Sequence, residues 1–185
     1  YRPFSIGSQT MRGFDFMIAG REYYGFSPYA SVEYLHATQD SNVADPFQKI
    51  TLNSKGTQAI MAPTVMANFG LTYKYKGFFA NGTVHYTGPQ SVSVAGDQRI
   101  PGYVTDSLAL GYHFQPVSFL KSPTFRLNFS NLTGSIVRTG AMGAVYSKND
   151  PATVYNNYAP GSKGYGNSFM VEPRFTMTGT VSTEF

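Results

Sequence analysis

Cysteine is absent from the 185-residue chain, which removes disulfide frameworks, thiolate catalysis and cysteine-ligated zinc in one step. That absence is compatible with an envelope compartment as well as with the cytosol. Charge is scarce too: Asp, Glu, Lys and Arg make up 13% of the residues, about half the usual globular share. The net charge of +4 is spread along the chain, with no basic cluster denser than Lys74 and Lys76, so there is no nucleic-acid footprint. No apolar run approaches the ~18 residues of a membrane-spanning helix, and no helical period is detectable. The amino-terminal end also lacks the basic-then-apolar segment of a secretion signal. If the protein is exported, this sequence is expected to be mature or truncated.

Phe and Tyr, in contrast, are plentiful, at 16% of the chain. An excess of aromatics over charges suits a sheet that faces something apolar. The mean hydropathy is slightly negative, but a barrel strand is apolar on one side only and averages to near neutral. Low hydropathy therefore excludes helical insertion and leaves barrel insertion open.

The apolar residues recur with a period of two. From Thr10 to Gly20, Phe14, Phe16 and Ile18 oppose Asp15, Met17 and Ala19; after a turn at Tyr24-Gly25-Phe26, Ala30, Val32 and Tyr34 oppose Ser31 and Glu33. These two segments read as a hairpin. Residues 38–59 are polar, carry Pro46 and Gly56, and read as a long loop. The longest alternation follows, with Val65, Ala67, Phe69, Leu71, Tyr73 and Tyr75 against Met66, Asn68, Gly70, Thr72 and Lys74. A tight turn at Lys76-Gly77 leads into a strand from Phe78 to Thr87. A loop from Gly88 to Pro101 precedes a strand from Tyr103 to Phe114, and a turn between Pro116 and Pro123 precedes Phe125, Leu127 and Phe129. A long segment from Gly134 to Asn167, rich in Gly, Asn, Tyr and Ser, ends at a last strand, Phe175 to Phe185. There Phe175, Met177, Gly179, Val181, Thr183 and Phe185 share one face.

About seven strands result, joined alternately by short and long connections. Periplasmic turns against extracellular loops are the pattern of an outer-membrane barrel. The polar face is dominated by Ser, Thr, Asn and Gly rather than the Lys and Glu of a face turned to bulk water. Arg12, Asp15, Glu33, Lys74 and Arg126 are assigned to that polar face. The expected fold is all-β, an antiparallel transmembrane β-barrel section. Two alternatives stay open: a free-standing eight-stranded barrel with residues 1–9 as the extra strand, and a soluble β-sandwich binding module.

The order of motifs resembles the carboxyl-terminal part of a TonB-dependent receptor, an outer-membrane family that imports scarce ligands. MRGFDF at Met11 to Phe16 resembles the family's Arg-Gly-Val-Glu strand, with Asp15 where glutamate is usual, and SPYASVEYLHA is similar to its next upward strand. MAPTVMANFGLTYKY resembles a strand opened by proline and closed by tyrosine, and YVTDSLALGYHF an aspartate followed by an apolar alternation. FRLNFSNLTGS places Asn131 and Leu132 as the family's Asn-Leu pair does, and PRFTMTGTVSTEF resembles its closing strand. Family members are several times longer and close with about 22 strands around a plug. The resemblance therefore implies that residues 1–185 are the carboxyl-terminal part of a receptor barrel, about seven strands of it, with the plug domain and the first part of the barrel missing.

The resemblance also implies partners and a place. The partners are outer-membrane lipid and lipopolysaccharide, the rest of the barrel and the plug, the TonB energising complex through that plug, and the barrel-assembly machinery. The place is the outer membrane of a Gram-negative bacterium, and the ligand a siderophore, vitamin or glycan. The terminal strand (Phe175, Met177, Val181, Phe185) is expected to guide assembly. Tyr146, Tyr155, Tyr158 and Tyr165, with Asn156 and Asn157, are the candidate ligand-contacting loop, because rings and amides suit stacking on a sugar or an aromatic chelator.

No catalytic, cofactor or metal residues are assigned, and an enzyme is not expected. His36, His85 and His113 are isolated within strands, without ligand-like spacing. His113 with Ser107 or Ser118 lacks an orienting group and an oxyanion site. GSKGYG at Gly161 to Gly166 lacks the strand-then-helix context of a phosphate loop. The Asn-x-Ser/Thr triplets at Asn81, Asn128 and Asn131 fall on strands, and Asp40 and Asp45 lack calcium-loop spacing.

Overall fold

The computed structural model describes residues 7–45, 50–116, 120–142 and 168–183. The strands, in chain order, are β1 (Gln9–Ala19), β2 (Phe26–Gln39), β3 (Val43–Asp45), β4 (Ile50–Leu52), β5 (Val65–Tyr75), β6 (Phe78–Thr87), β7 (Gln90–Ser91), β8 (Arg99–Ile100), β9 (Tyr103–His113), β10 (Thr124–Ser130), β11 (Arg138–Met142), β12 (Ser168–Val171) and β13 (Thr176–Ser182). Seven of them form one antiparallel sheet in the order β1-β2-β5-β6-β9-β10-β13, and the other six pair as three short ribbons, β3-β4, β7-β8 and β11-β12. The large sheet contains the seven strands that the alternation predicts.

Register turns seven separate alternations into two continuous faces. Pro28, Leu71, Gly82, Leu108, Phe129 and Met177 stand in one cross-strand row. The adjacent row, on the opposite face, is Ser27, Thr72, Asn81, Ala109, Asn128 and Thr178. A slip of one residue in any pair would mix these rows. Arg12 departs from the sequence assignment. It stands opposite His36, two residues from the pair Phe14 and Tyr34, so it shares the apolar face, at the loop end of that face. Asp106, opposite Val84, has the same placement. The strict period of two carries both charges onto the apolar side where the strands leave the apolar band.

The short connections owe their form to two left-handed residues each. Tyr24 and Gly25 have φ of 49° and 83°, Lys76 and Gly77 φ of 45° and 86°. Two consecutive positive φ values define the two-residue turn whose twist matches the strands it joins. The connection from Phe114 to Pro123 ends on the same side, closed by a hydrogen bond from Phe114 N to Pro123 O of 2.8 Å.

The segments read as long loops are more structured than their composition suggests. β2 continues to Gln39 and, at 14 residues, is longer than β5. Residues 38–59 contain the ribbon β3-β4, residues 88–101 contain β7-β8, and β11 reaches across to β12. Pairs of two to five residues are too short to give a period. They hold because the loops pack on one another: Val43, Ala59, Val92, Val94, Ile100 and Val137 are all buried. Among the described residues the apolar face of the large sheet has no such core, and Phe14, Phe69, Met177 and Val181 are more than half exposed.

Among the described residues β1 and β13 lie at opposite edges of the sheet and do not pair with each other; residues 1–6, most of the extra strand of the eight-stranded alternative, lie outside the described residues. A single broad sheet with an exposed apolar face overturns the sandwich, which needs two facing sheets around a core.

At Gly77 a Cβ would stand 2.6 Å from the carbonyl oxygen of His113. Gly77→Val is expected to lower the stability of the folded barrel by ~1–3 kcal/mol, whereas Lys76→Asn, which tolerates positive φ, is expected to be neutral. Thermal unfolding in detergent micelles measures both; equal midpoints for the two variants would remove the turn from the account.

Candidate functional site

The loop end of the sheet is where the chain packs against itself, and three connections meet there. The carbonyl of Ser91 accepts from Met61 N at 2.9 Å, and Ile60 bridges Ser91 in parallel fashion. Gln58 is the node of this cap. Its Nε2 donates to the Ala62 carbonyl at 2.6 Å and lies 3.4 Å from the Pro89 carbonyl, while its Oε1 accepts from Arg99. The Thr57 hydroxyl is 2.7 Å from Ser54 O and 3.2 Å from Val94 O, and Gln90 Nε2 donates to Thr139 O at 3.3 Å. These bonds tie residues 54–64, 88–100 and 137–140 into one cover.

Part of the cover folds over the polar face of β2, where Leu35, Ala37, Ala59 and Ala62 form a small apolar cluster. Arg99 and Arg138 remain exposed at its outside, Arg138 lying 5.2 Å from the ring of Phe169. Chemically the cap offers guanidinium and amide donors on a scaffold held by backbone bonds, a surface that can recognise anionic or carbonyl-bearing ligands.

Two motifs far apart in the sequence meet at the loop ends of β9 and β10. Asp106 Oδ2 accepts from Leu132 N at 2.7 Å, and Oδ1 from the Thr133 hydroxyl at 3.3 Å; its carbonyl accepts from Asn131 N at 2.8 Å. Asn131, buried and at φ 51°, donates through Nδ2 to Ser135 O at 2.8 Å and Pro173 O at 3.1 Å. The pair clasps the start of β9 and the end of β10 to the segment that enters β13. Asparagine suits the position because it tolerates positive φ and its amide satisfies nearby backbone groups.

Among the described residues the polar face carries a series of hydrogen-bonded pairs. His85 bonds to Asn68 through Nδ1 and lies 2.9 Å from Thr87 Oγ1 through Nε2, and Asn68 Nδ2 donates to Ser31 Oγ at 3.2 Å. Thr83 and Ser107 hydroxyls are 2.7 Å apart, and Asn81 Nδ2 donates to Thr72 Oγ1 at 2.8 Å. The three histidines are dispersed: His85 mid-sheet on the polar face, His113 near the turns beside Thr124, His36 at the loop end opposite Arg12. Among the described residues no three His, Asp or Glu side chains gather into a metal-binding group.

Of the sites expected from sequence, Tyr146, Tyr155, Tyr158 and Tyr165 lie outside the described residues, as do Phe185 and the GSKGYG segment. Phe175, Met177 and Val181 are exposed, and Phe175 packs 6.3 Å from Phe129 between ring centroids. Sequence reasoning missed the cap residues Gln58, Gln90 and Arg99. The signal available for them was aliphatic: Val92, Val94 and Ile100 in a stretch otherwise written in turn residues.

A family model described as TonB dependent receptor-like, beta-barrel matches residues 1–132. No curated protein matches the chain in sequence. Among solved structures, the siderophore receptor PiuA from Acinetobacter baumannii is similar, with a TM-score of 0.66 and 17% identity, over 94% of this chain and 21% of that one. At that identity the likeness shows the fold, and the chain spans about a fifth of the receptor's length. With one antiparallel sheet, turns at one end and packed loops at the other, and a family match over most of its residues, the chain belongs to the TonB-dependent receptor-like β-barrel family.

Proposed function

We propose that the chain forms wall and outer loops of a TonB-dependent transporter in the outer membrane of a Gram-negative bacterium. The observation that carries this reading is the apolar face. It runs across all seven strands in register, carries the exposed Phe14, Val32, Phe69, Val84, Tyr112, Phe125 and Met177, one from each strand, and is backed by a polar face of hydroxyls and amides. A wall one strand thick needs apolar side chains toward lipid, polar ones toward the lumen, and every backbone group bonded to a neighbouring strand.

The edges support a larger barrel. β1 pairs with β2 alone and β13 with β10 alone among the described residues, and an open edge in lipid leaves its donors and acceptors without partners. In this reading residues 1–185 are the carboxyl-terminal barrel section, and β1 and β13 join strands of the remaining barrel. Lipid and lipopolysaccharide surround the wall, and the barrel-assembly machinery inserts it. A plug fills the lumen and takes energy from TonB. The loops capture a scarce ligand, and an iron–siderophore complex is the first to test, given the siderophore receptor of similar fold. Arg99 and Arg138, exposed on the cap, suit the anionic groups of such a chelate.

Deletion of the gene is expected to abolish uptake of a labelled iron–siderophore complex by iron-starved cells, and collapse of the proton gradient is expected to do the same in the undeleted strain. Uptake that persists in de-energised cells would sink the reading.

The wall itself is tested by two neighbours on β13 whose side chains point opposite ways. Met177→Arg is expected to destabilise the inserted barrel by ~2–4 kcal/mol, the value for an arginine facing lipid near mid-membrane. Thr178→Arg, toward the lumen, is expected to leave the yield of folded outer-membrane protein near wild type. Equal tolerance of both, measured by heat-modifiable gel mobility, would argue for water on both faces.

A further inference from the structure

The turn end of the polar face holds a feature that the transporter reading does not use. A concavity of about 520 Å³ lies there, lined by Thr72, Lys74, Phe79, Asn81, His113 and Arg126 together with residues of the Tyr75–Phe78 turn. Its lining contains Lys74, Lys76, His113 and Arg126 and no carboxylate. Lys76 is turned toward the ring of Tyr75, with its Nζ 5.2 Å from the centroid, which leaves Lys74 and Arg126 as the cations directed to the concavity.

Register and a missing side chain build the arrangement. Lys74, Phe79, Gly111, Arg126 and Thr180 form one cross-strand row. Because Gly111 has no Cβ, the Phe79 ring lies across it: a Cβ there would be 2.1 Å from Phe79 Cζ. The ring thereby meets the Arg126 guanidinium at 5.1 Å and the His113 ring at 4.8 Å. Stacking fixes the plane of the guanidinium and leaves its N–H groups free to bind a planar anion in bidentate fashion.

We infer that this basic, aromatic-floored concavity seats a carboxylate side chain of the polypeptide that fills the lumen, locking it against the inner end of the wall. The inference rests on the transporter reading, which gives the polar face an interior occupant. A carboxylate from the plug is favoured over an anionic ligand by position. The concavity lies among the short turns, at the opposite end from the packed loops that a ligand from outside meets first.

The test uses the complete receptor, folded in detergent or membrane. Limited proteolysis reads exposure of the interior segment, heat-modifiable gel mobility reports that the barrel is intact, and ligand affinity is measured in parallel with an iron–siderophore complex. Lys74→Gln with Arg126→Met is expected to speed cleavage of the interior segment about tenfold, as for the loss of a charge-assisted bond, with the barrel intact. Arg126→Met alone keeps an apolar side chain on Phe79 and is expected to speed cleavage severalfold. Arg126→Lys keeps the charge but loses the stacked fork, and is expected to speed cleavage by less than Arg126→Met does.

Cleavage that ignores both charges, or Arg126→Met behaving as wild type, would overturn the inference while leaving the transporter reading standing. Weaker ligand affinity with unchanged cleavage would also overturn it, and would assign the concavity to an anionic ligand instead. A wild-type receptor with no barrel-protected interior segment would overturn both.

Discussion

The ladder of backbone hydrogen bonds between neighbouring strands is the interaction on which the rest of this molecule depends. A sheet one layer thick has no second layer to pack against, so beyond the patch of β2 under the loops it buries neither face and draws little from a hydrophobic core of its own. Its seven strands are held laterally, residue against residue, and the register of that ladder sets which side chains look outward. The largest apolar side chains that are fully buried, Ile100, Val43, Val92 and Val137, belong to the connections rather than to the sheet's main strands. In water such a sheet would be a liability. In lipid the exposed apolar face finds its solvent, and the ladder becomes obligatory because lipid offers no other partners.

The two ends of the ladder are finished by different physics. At one end the chain reverses in two residues, using the left-handed conformation at Tyr24-Gly25 and Lys76-Gly77, and little protein lies beyond. At the other, the connections are long enough to bury apolar side chains of their own, and Gln58, Thr57 and Gln90 sew them together through backbone carbonyls. The clasp of Asp106 with Asn131 and Leu132 fixes where β9, β10 and β13 leave the wall. An ordered outer cover over a polar interior face is an arrangement suited to selecting what enters, and the concavity around Phe79 and Arg126 lies at the far end of the same face.

Much of the fold was legible in the chain because barrel walls obey a local rule. Strands at Phe78–Thr87 and Tyr103–His113 follow from alternation and from the Gly and Pro that bound them, and the hairpin turns follow from Tyr-Gly and Lys-Gly pairs. The ribbons β3-β4, β7-β8 and β11-β12 were missed, since segments of two to five residues carry no period and are held by contacts between loops. Arg12 shares the apolar face with Phe14, as its parity requires, and not the polar face to which its charge points. That placement needs no tertiary contact, only the strict two-residue repeat that its pairing with His36 displays.

By itself, the sequence determined the class, the number of wall strands and which side of each strand is apolar, because these are set by local periodicity and by the conformational limits of Gly and Pro. The Asn131-Leu132 pair was visible as a motif, but its union with Asp106 was not. Tertiary structure alone decided which residues of different strands share a row, that the loops close over one another around Gln58, and that Lys74, Phe79, His113 and Arg126 converge over Gly111. The reason is that register is a property of pairs of strands. A carboxylate at 106 and an asparagine at 131, or an aromatic at 79 and a cation at 126, become neighbours only when the ladder places β6, β9 and β10 side by side.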